Sequence, residues 1–118
     1  LLFKLMANSF INKKVDLTTT DNTTLYTVPD ANTAVIKSLL VSEDAGSGTT
    51  ITVTLTDASS NVFSLFKTKT ISGNATTELL TQPLVMEEKE ILKVQAADAN
   101  ELHVIASILQ IQPREVTT

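Results

Sequence analysis

His103 is the one imidazole in the 118-residue chain, and the chain has no cysteine. A lone imidazole without thiolates falls short of a zinc ligand set, and no Asp or Glu partners stand in zinc-ligand spacing. Leu102, Val104 and Ala106 alternate with His103, so a strand that turns them inward turns His103 outward. His103 therefore reads as a surface or sheet-packing residue and not as a catalytic base. No serine lies in the glycine pattern of a nucleophile elbow. Gly46 and Gly48 flank Ser47, but the Gly, Lys and helix of a phosphate loop do not follow.

The carboxylates are equally unpromising for catalysis. Glu87, Glu88 and Glu90 crowd one turn, while Asp57 and Asp98 sit in separate turns. A glycosidase needs two carboxylates across a sugar cleft lined with aromatics. Four Phe and one Tyr supply few. Glu43-Asp44 and Asp57 to Asn61 have the loop oxygens a calcium ion accepts, but solvated turn carboxylates explain them more simply. Asn22-Thr23-Thr24 and Asn74-Ala75-Thr76 match the glycosylation pattern, a match that arises readily by chance in so Thr-rich a chain. No catalytic residue, cofactor or metal is expected, and the chain reads as non-enzymatic.

Charge narrows the partners. The net charge is −4, and the nine Lys and Arg are scattered, with only Lys13-Lys14 and Lys67 with Lys69 close together. Nucleic acid calls for a concentrated basic stripe with aromatics to stack on, so none is expected. The apolar runs are far shorter than the ~20 residues of a spanning helix, so no membrane is expected either. Leu1-Leu2-Phe3-Lys4-Leu5-Met6 is apolar but too short for a signal peptide and lacks its basic start. Met6-Ala7-Asn8-Ser9 resembles an ordinary translation start, which leaves two readings of what precedes it. One is an upstream start or readthrough. The other is an arm whose Leu1, Leu2, Phe3 and Leu5 dock, with Phe10, on a neighbouring subunit.

The elements that must position these residues are strands. Nineteen Thr, ten Val and eight Ile make nearly a third of the chain β-branched, a composition that fits pleated sheet with polar faces. Ile51, Val53 and Leu55 alternate strictly with Thr50, Thr52, Thr54 and Thr56, which predicts a strand with one core face and one hydroxyl face. This strand and 62–70 read as a hairpin around Asp57 to Asn61. Further strands are expected at 10–19 (an edge), 23–28, 33–42, 77–81, 91–97 and 101–111, with 84–86 leading into the Glu87 to Glu90 turn. Leu39-Leu40 makes the period in 33–42 ambiguous. A helix over 87–111 competes, since Glu, Lys, Leu and Ala favour one, but Leu92, Val94 and Ala96 alternate with Lys93 and Gln95. About eight short strands at ten-residue spacing predict an all-β fold, an antiparallel, jelly-roll-like β-sandwich.

The chain then shows a further pattern. Val28-Pro29 is followed by Ala34-Val35-Ile36-Lys37-Ser38-Leu39-Leu40-Val41, Thr52-Val53-Thr54-Leu55, Leu80, and Pro83-Leu84-Val85-Met86-Glu87. Leu92-Lys93-Val94-Gln95-Ala96 and Val104-Ile105-Ala106-Ser107-Ile108-Leu109 complete it. This order over about 25–111 resembles small β-rich virion proteins of tailed bacteriophages, particularly those of cyanobacteria and other marine bacteria. The chain departs from that pattern at Glu87-Glu88-Lys89-Glu90, where the family usually has a glycine-aspartate turn.

The resemblance implies a structural role in the virion. The expectation is an arm at 1–9, a sandwich domain at 10–112 and a tail at 113–118. The first expected function is a capsid decoration, or cement, protein bridging capsomers, with the major capsid protein as partner and a homo-oligomer, first a trimer, as its state. A tail, neck or baseplate protein and a receptor- or glycan-binding fibre module are the alternatives.

Overall fold

Apolar residues at every second position fold this chain into strands throughout. The computed structural model describes residues 2–4, 7–112 and 115–117, with side-chain surroundings for 8–112. The strands are β1 (Leu2–Lys4), β2 (Ala7–Leu17), β3 (Thr23–Thr27), β4 (Thr33–Glu43), β5 (Thr49–Thr56) and β6 (Val62–Ile71). They continue with β7 (Thr76–Glu78), β8 (Leu84–Met86), β9 (Ile91–Ala96), β10 (Leu102–Gln112) and β11 (Glu115–Thr117). The described residues contain no helix. The helix considered for 87–111 gives way to a turn, β9, a second turn and β10. Leu92, Val94 and Ala96 are buried with period two, which a helix cannot achieve.

All strand pairs are antiparallel. One sheet has the order β2-β10-β4, with β7 and β8 both on the free edge of β4; the other has the order β3-β9-β5-β6. From β2 to β10, only β5 and β6 are neighbours in both chain and sheet, so the expected hairpin forms. β7 and β8 follow one another along the same edge, and every other connection in that span crosses between sheets. This wrapped connectivity makes an antiparallel all-β sandwich, as the strand count predicted. Ile36, Val41, Ile51, Val53, Leu92, Val94, Leu102 and Val104 have no accessible surface and form the centre of the core. Each such side chain contributes about 1.5–3 kcal/mol by leaving water. At one end Tyr26 closes the core, its hydroxyl donating to Gln110 Oε1 at 2.7 Å.

The ambiguity at Leu39-Leu40 has a local cause. Ser107 faces Ser38 and Ile108 faces Ile36, so Lys37 is an extra residue and β4 carries a bulge there. The bulge exchanges inward and outward positions. Ala34 and Ile36 point into the core before it, Leu39 and Val41 after it, and Leu40 is left on the outer face.

β2 begins at Ala7, so the first strand starts three residues before the expected one and pairs with β10 down to Ala7–Gln112. Beyond that rung, β1 and β11 pair with each other and with no other strand, Lys4 opposite Glu115 and Leu2 opposite Thr117. The molecule measures 60 × 26 × 24 Å, with a radius of gyration of 16.1 Å. A compact chain of this length has about 13.5 Å.

Candidate interaction surfaces

Of the residues expected to dock, Leu2, Phe3 and Phe10 lie in described terminal strands. Leu2 and Phe3 lie in β1, and Leu1 and Leu5 fall outside the described residues. Phe10 is on β2, on the parity opposite Ile11, Val15 and Leu17, and 79% of its surface is exposed. Antiparallel register then brings it into company the sequence did not disclose. Phe10 lies beside Leu109 of β10, Leu109 beside Val35 of β4, and Val35 beside Val85 of β8. These four form an apolar row straight across the outer face of the larger sheet. A second row runs Lys14, Ile105, Leu40, Glu78. Between the two lie the small polar residues Asn12, Ser107 and Ser38, with Lys37 exposed beside them at the bulge. Val85 (59%), Ile105 (41%) and Leu40 (37%) are exposed along with Phe10. Isolated exposed apolar residues are ordinary, but in-register rows are a surface feature that marks contact sites.

The outer face of the smaller sheet is the predicted hydroxyl face. Thr50, Thr52, Thr54 and Thr56 point away from Ile51, Val53 and Leu55, and all four are half-buried. Thr52 Oγ1 accepts from the backbone N–H of Thr68 at 3.1 Å, where β6 takes an extra residue and Thr68 adopts a φ of 48°. The hydroxyl thus fastens a bulge. Gln95 Nε2 donates to the Thr20 carbonyl at 3.0 Å. Thr50, Thr52, Thr68, Gln95, Ala96 and Ala97 line a shallow depression of about 240 Å³. Tyr26, a candidate for an aromatic platform, is buried in the core at 3% exposure.

The loop end of the sandwich carries the most ordered polar chemistry. Glu43 is the last residue of β4 and only 1% exposed. Its Oε1 accepts from the N–H groups of Gly46 (2.8 Å) and Asn74 (3.1 Å), and its Oε2 from that of Gly48 (2.8 Å). Burial pushes the carboxyl up, but these N–H groups and the Glu101 carboxyl outweigh it and hold Glu43 down at about 2. Gly46 and Gly48, at φ 87° and 76°, let the loop curl around it. Gly73 completes the cradle from the facing turn, approaching the Gly46 carbonyl so closely that a Cβ would sit 2.3 Å from its oxygen.

In both calcium candidates one carboxylate is already engaged by the protein's own donors. Glu43 is occupied as described. Asp57 accepts from the N–H groups of Ser59 and Asn61, both at 2.9 Å, and from Asn61 Nδ2, bonds that hold its carboxyl below the usual range. Among the described residues no three His, Asp or Glu side chains gather in a way that would hold a metal. His103 faces outward, as its alternation predicted, with Nε2 3.2 Å from Asp16 Oδ1 and Nδ1 3.7 Å from Asp44 Oδ2. All three side chains are about half exposed, so the contacts are weak surface ones.

Sequence reasoning missed the Glu43 cradle and the apolar row. The two glycines soon after Glu43 were a signal for the first. The row had none, because it is assembled by register from β2, β4, β8 and β10.

No protein-family model matches the chain, and none of the curated proteins matches it. Among solved structures it is similar to a pentameric capsid protein isolated from metagenomic phage sequences. In two crystal structures of that protein the identity is 19% and the TM-score 0.40. The match covers 91% of this chain and 62% or 63% of that one, so the chain spans less than two thirds of the capsid protein. It is also similar to the C-terminal family 22 carbohydrate-binding module of Clostridium thermocellum Xyn10B, at 15% identity and a TM-score of 0.42, over 97% of this chain and 87% of the module.

Proposed function

We propose that this chain is a non-enzymatic structural component of a tailed-phage virion, and specifically a capsid decoration protein that binds the major capsid protein and bridges capsomers. The observation that carries this reading is the terminal ribbon. β2 and β10 pair over eleven rungs, and β1 and β11 add three more beyond the last rung that β10 shares with β4, Ile111 with Thr33. In a molecule 60 Å long and about 25 Å wide, such a ribbon extends the reach of Leu2–Lys4 and Glu115–Thr117 toward a neighbour. A two-stranded ribbon alone is marginal in water, so a docked partner stabilises it. The strand-and-turn resemblance over 25–111 supports the same reading. The weight of binding falls on Leu1, Leu2, Phe3, Leu5 and Phe10, since apolar anchors dominate interfaces.

The test is binding of the purified chain to expanded capsids that lack it. Saturable binding with a fixed number of copies per capsid is expected, and deleting Leu1 to Leu5 weakens it at least tenfold. Absence of binding overturns the reading. Few copies per virion by quantitative mass spectrometry would point instead to a tail, neck or baseplate role, and specific affinity on a glycan array to a fibre module.

A further inference from the structure

We infer that the outer face of the β2-β10-β4 sheet is a self-complementary interface that stacks against the same face of a second copy of this chain, about a two-fold axis parallel to the strands. This contact does not depend on the virion role proposed above; it assigns Phe10 to the pair and leaves Leu1, Leu2, Phe3 and Leu5 for docking. The argument rests on the two transverse rows, Phe10–Leu109–Val35–Val85 and Lys14–Ile105–Leu40–Glu78, each set by antiparallel register.

A two-fold axis parallel to the strands reverses each row against its own copy and keeps its level along the sheet. Phe10 then faces the second copy's Val85, and Leu109 faces its Val35. Ile105 faces Leu40, and Lys14 faces Glu78. Each apolar side chain meets an apolar one, and the cation at one end of the second row meets the anion at the other. Glu78 keeps that charge: Ser38, Leu39 and Leu80 hydrogen bonds outweigh burial and hold its carboxyl below the usual range. Of the remaining groups, Asp16 faces Thr76 and His103 faces Ser42. Lys37, exposed at the bulge, shares its level with the second copy's Lys37 and sets one like-charge pair against the two Lys14–Glu78 pairs. The other in-plane axis, across the strands, sets Phe10 on Lys14 and Val85 on Glu78, and leaves the charges opposite apolar groups. Charge complementarity therefore selects a second copy and also its orientation.

Size and shape agree. From Asn8 to Asp16 the face runs about 27 Å along β2 and about 19 Å across the strands, roughly 500 Å² in projection. The accessible area of a face covered with side chains exceeds its projection, in the direction of the ~800 Å² per partner of a stable interface. Between the rows Asn12, Ser107 and Ser38 are small, and the long side chain of Lys37 lies along the face when the sheets stack at about 10 Å, aligned to within about 30°. The axis also sends both terminal ribbons out at the same end of the pair. The contact is two-fold, whereas the first expectation from the sequence is a trimer.

The experiment is sedimentation equilibrium on the full chain and two surface variants, Phe10→Glu and Val85→Lys. The wild type is expected to dimerise reversibly, and each variant alone to weaken the dimer at least tenfold, with a thermal midpoint equal to that of the wild type at a dilution where both are monomeric. Mixing the variants restores a one-to-one dimer, because the carboxylate introduced in one copy then faces the ammonium introduced in the other. Since the chain has no cysteine, Phe10→Cys and Val85→Cys chains give a second readout that survives any folding defect in the first. Mixed and treated with a short bis-maleimide that can bridge residues on sheets about 10 Å apart, they are expected to crosslink to each other, with neither crosslinking alone. A wild type that stays monomeric to millimolar concentration, or forms a trimer, overturns the inference. So do variants that associate as the wild type does, or a mixture that gives neither dimer nor crosslink.

Discussion

The carboxyl groups of Glu43 and Glu101 meet at the loop end of the sandwich, and their opposite displacements from the ordinary value both arise from that meeting. Glu101 accepts a hydrogen bond from Ser47 Oγ at 2.6 Å, which lowers it, but contact with Glu43, burial and the charges of Asp98 and Glu43 outweigh this and raise it. Glu43 is lowered from 4.5 to about 2. Its stabilising contribution is present above 4.5 and is lost as the pH falls toward 2. The Glu101 contribution has the opposite sign, being complete below 4.5 and lost as the pH rises through its raised value. This pair is therefore most favourable to folding near pH 4.5. Replacing Glu101 with Gln is expected to raise the thermal midpoint at neutral pH and flatten its fall above 4.5. The acid limb is expected to remain, since Asp57 and Glu78 are lowered too. Midpoints measured against pH decide this, and a mutant less stable at neutral pH would refute it.

Gly73 faces the Gly46 carbonyl with no room for a side chain, a methyl there lying 2.3 Å from the oxygen. Both atoms belong to backbone that forms the Glu43 cradle, so neither yields easily. Gly73→Ala is expected to cost about 2 kcal/mol or more. For a chain of this length that lowers the midpoint by about 8 °C. Urea denaturation measures the loss directly.

Thr54 Oγ1 is buried without a hydrogen-bond partner among the described residues. Val has the same shape and no hydroxyl to desolvate. Thr54→Val is expected to stabilise by about 1 kcal/mol. Thr52→Val, which removes the bond to the Thr68 N–H, is expected to destabilise by a similar amount. Two substitutions of one kind on one strand thus take opposite signs, and paired urea titrations test it.

Lys89 occupies the left-handed region at φ 69° in the turn after β8, its N–H donating to the Val28 carbonyl at 2.9 Å. A side chain there costs about 1–2 kcal/mol, part of which glycine gives back through the freer unfolded chain. Lys89→Gly is expected to stabilise by about 0.5–1 kcal/mol. Loss of stability in thermal melts would show that the lysine makes contacts outweighing its strain.

Local period and turn chemistry determined most of the fold. Thr50 to Thr56 alternates so strictly that its core face follows from sequence alone, and Pro29, Asp57 to Asn61 and Asp98 to Asn100 end strands where expected. His103 was assigned outward by the same rule. What failed was parity across an irregularity, because one extra residue at Lys37 exchanges the two faces of β4 and separates Leu39 from Leu40.

The surfaces were decided only by tertiary structure. Phe10, Val35, Val85 and Leu109 are far apart in the chain, and nothing in any one segment says that they share a level. Their alignment depends on register between strands from four segments, fixed by how the whole core packs. The Glu43 cradle is of the same kind. Gly46 and Gly48 are local to it, but the Asn74 N–H and the Gly73 approach come from a distant turn. Short-range periodicity is written in neighbouring residues, whereas long-range register is a property of the folded whole, and both surfaces of interest are made of register.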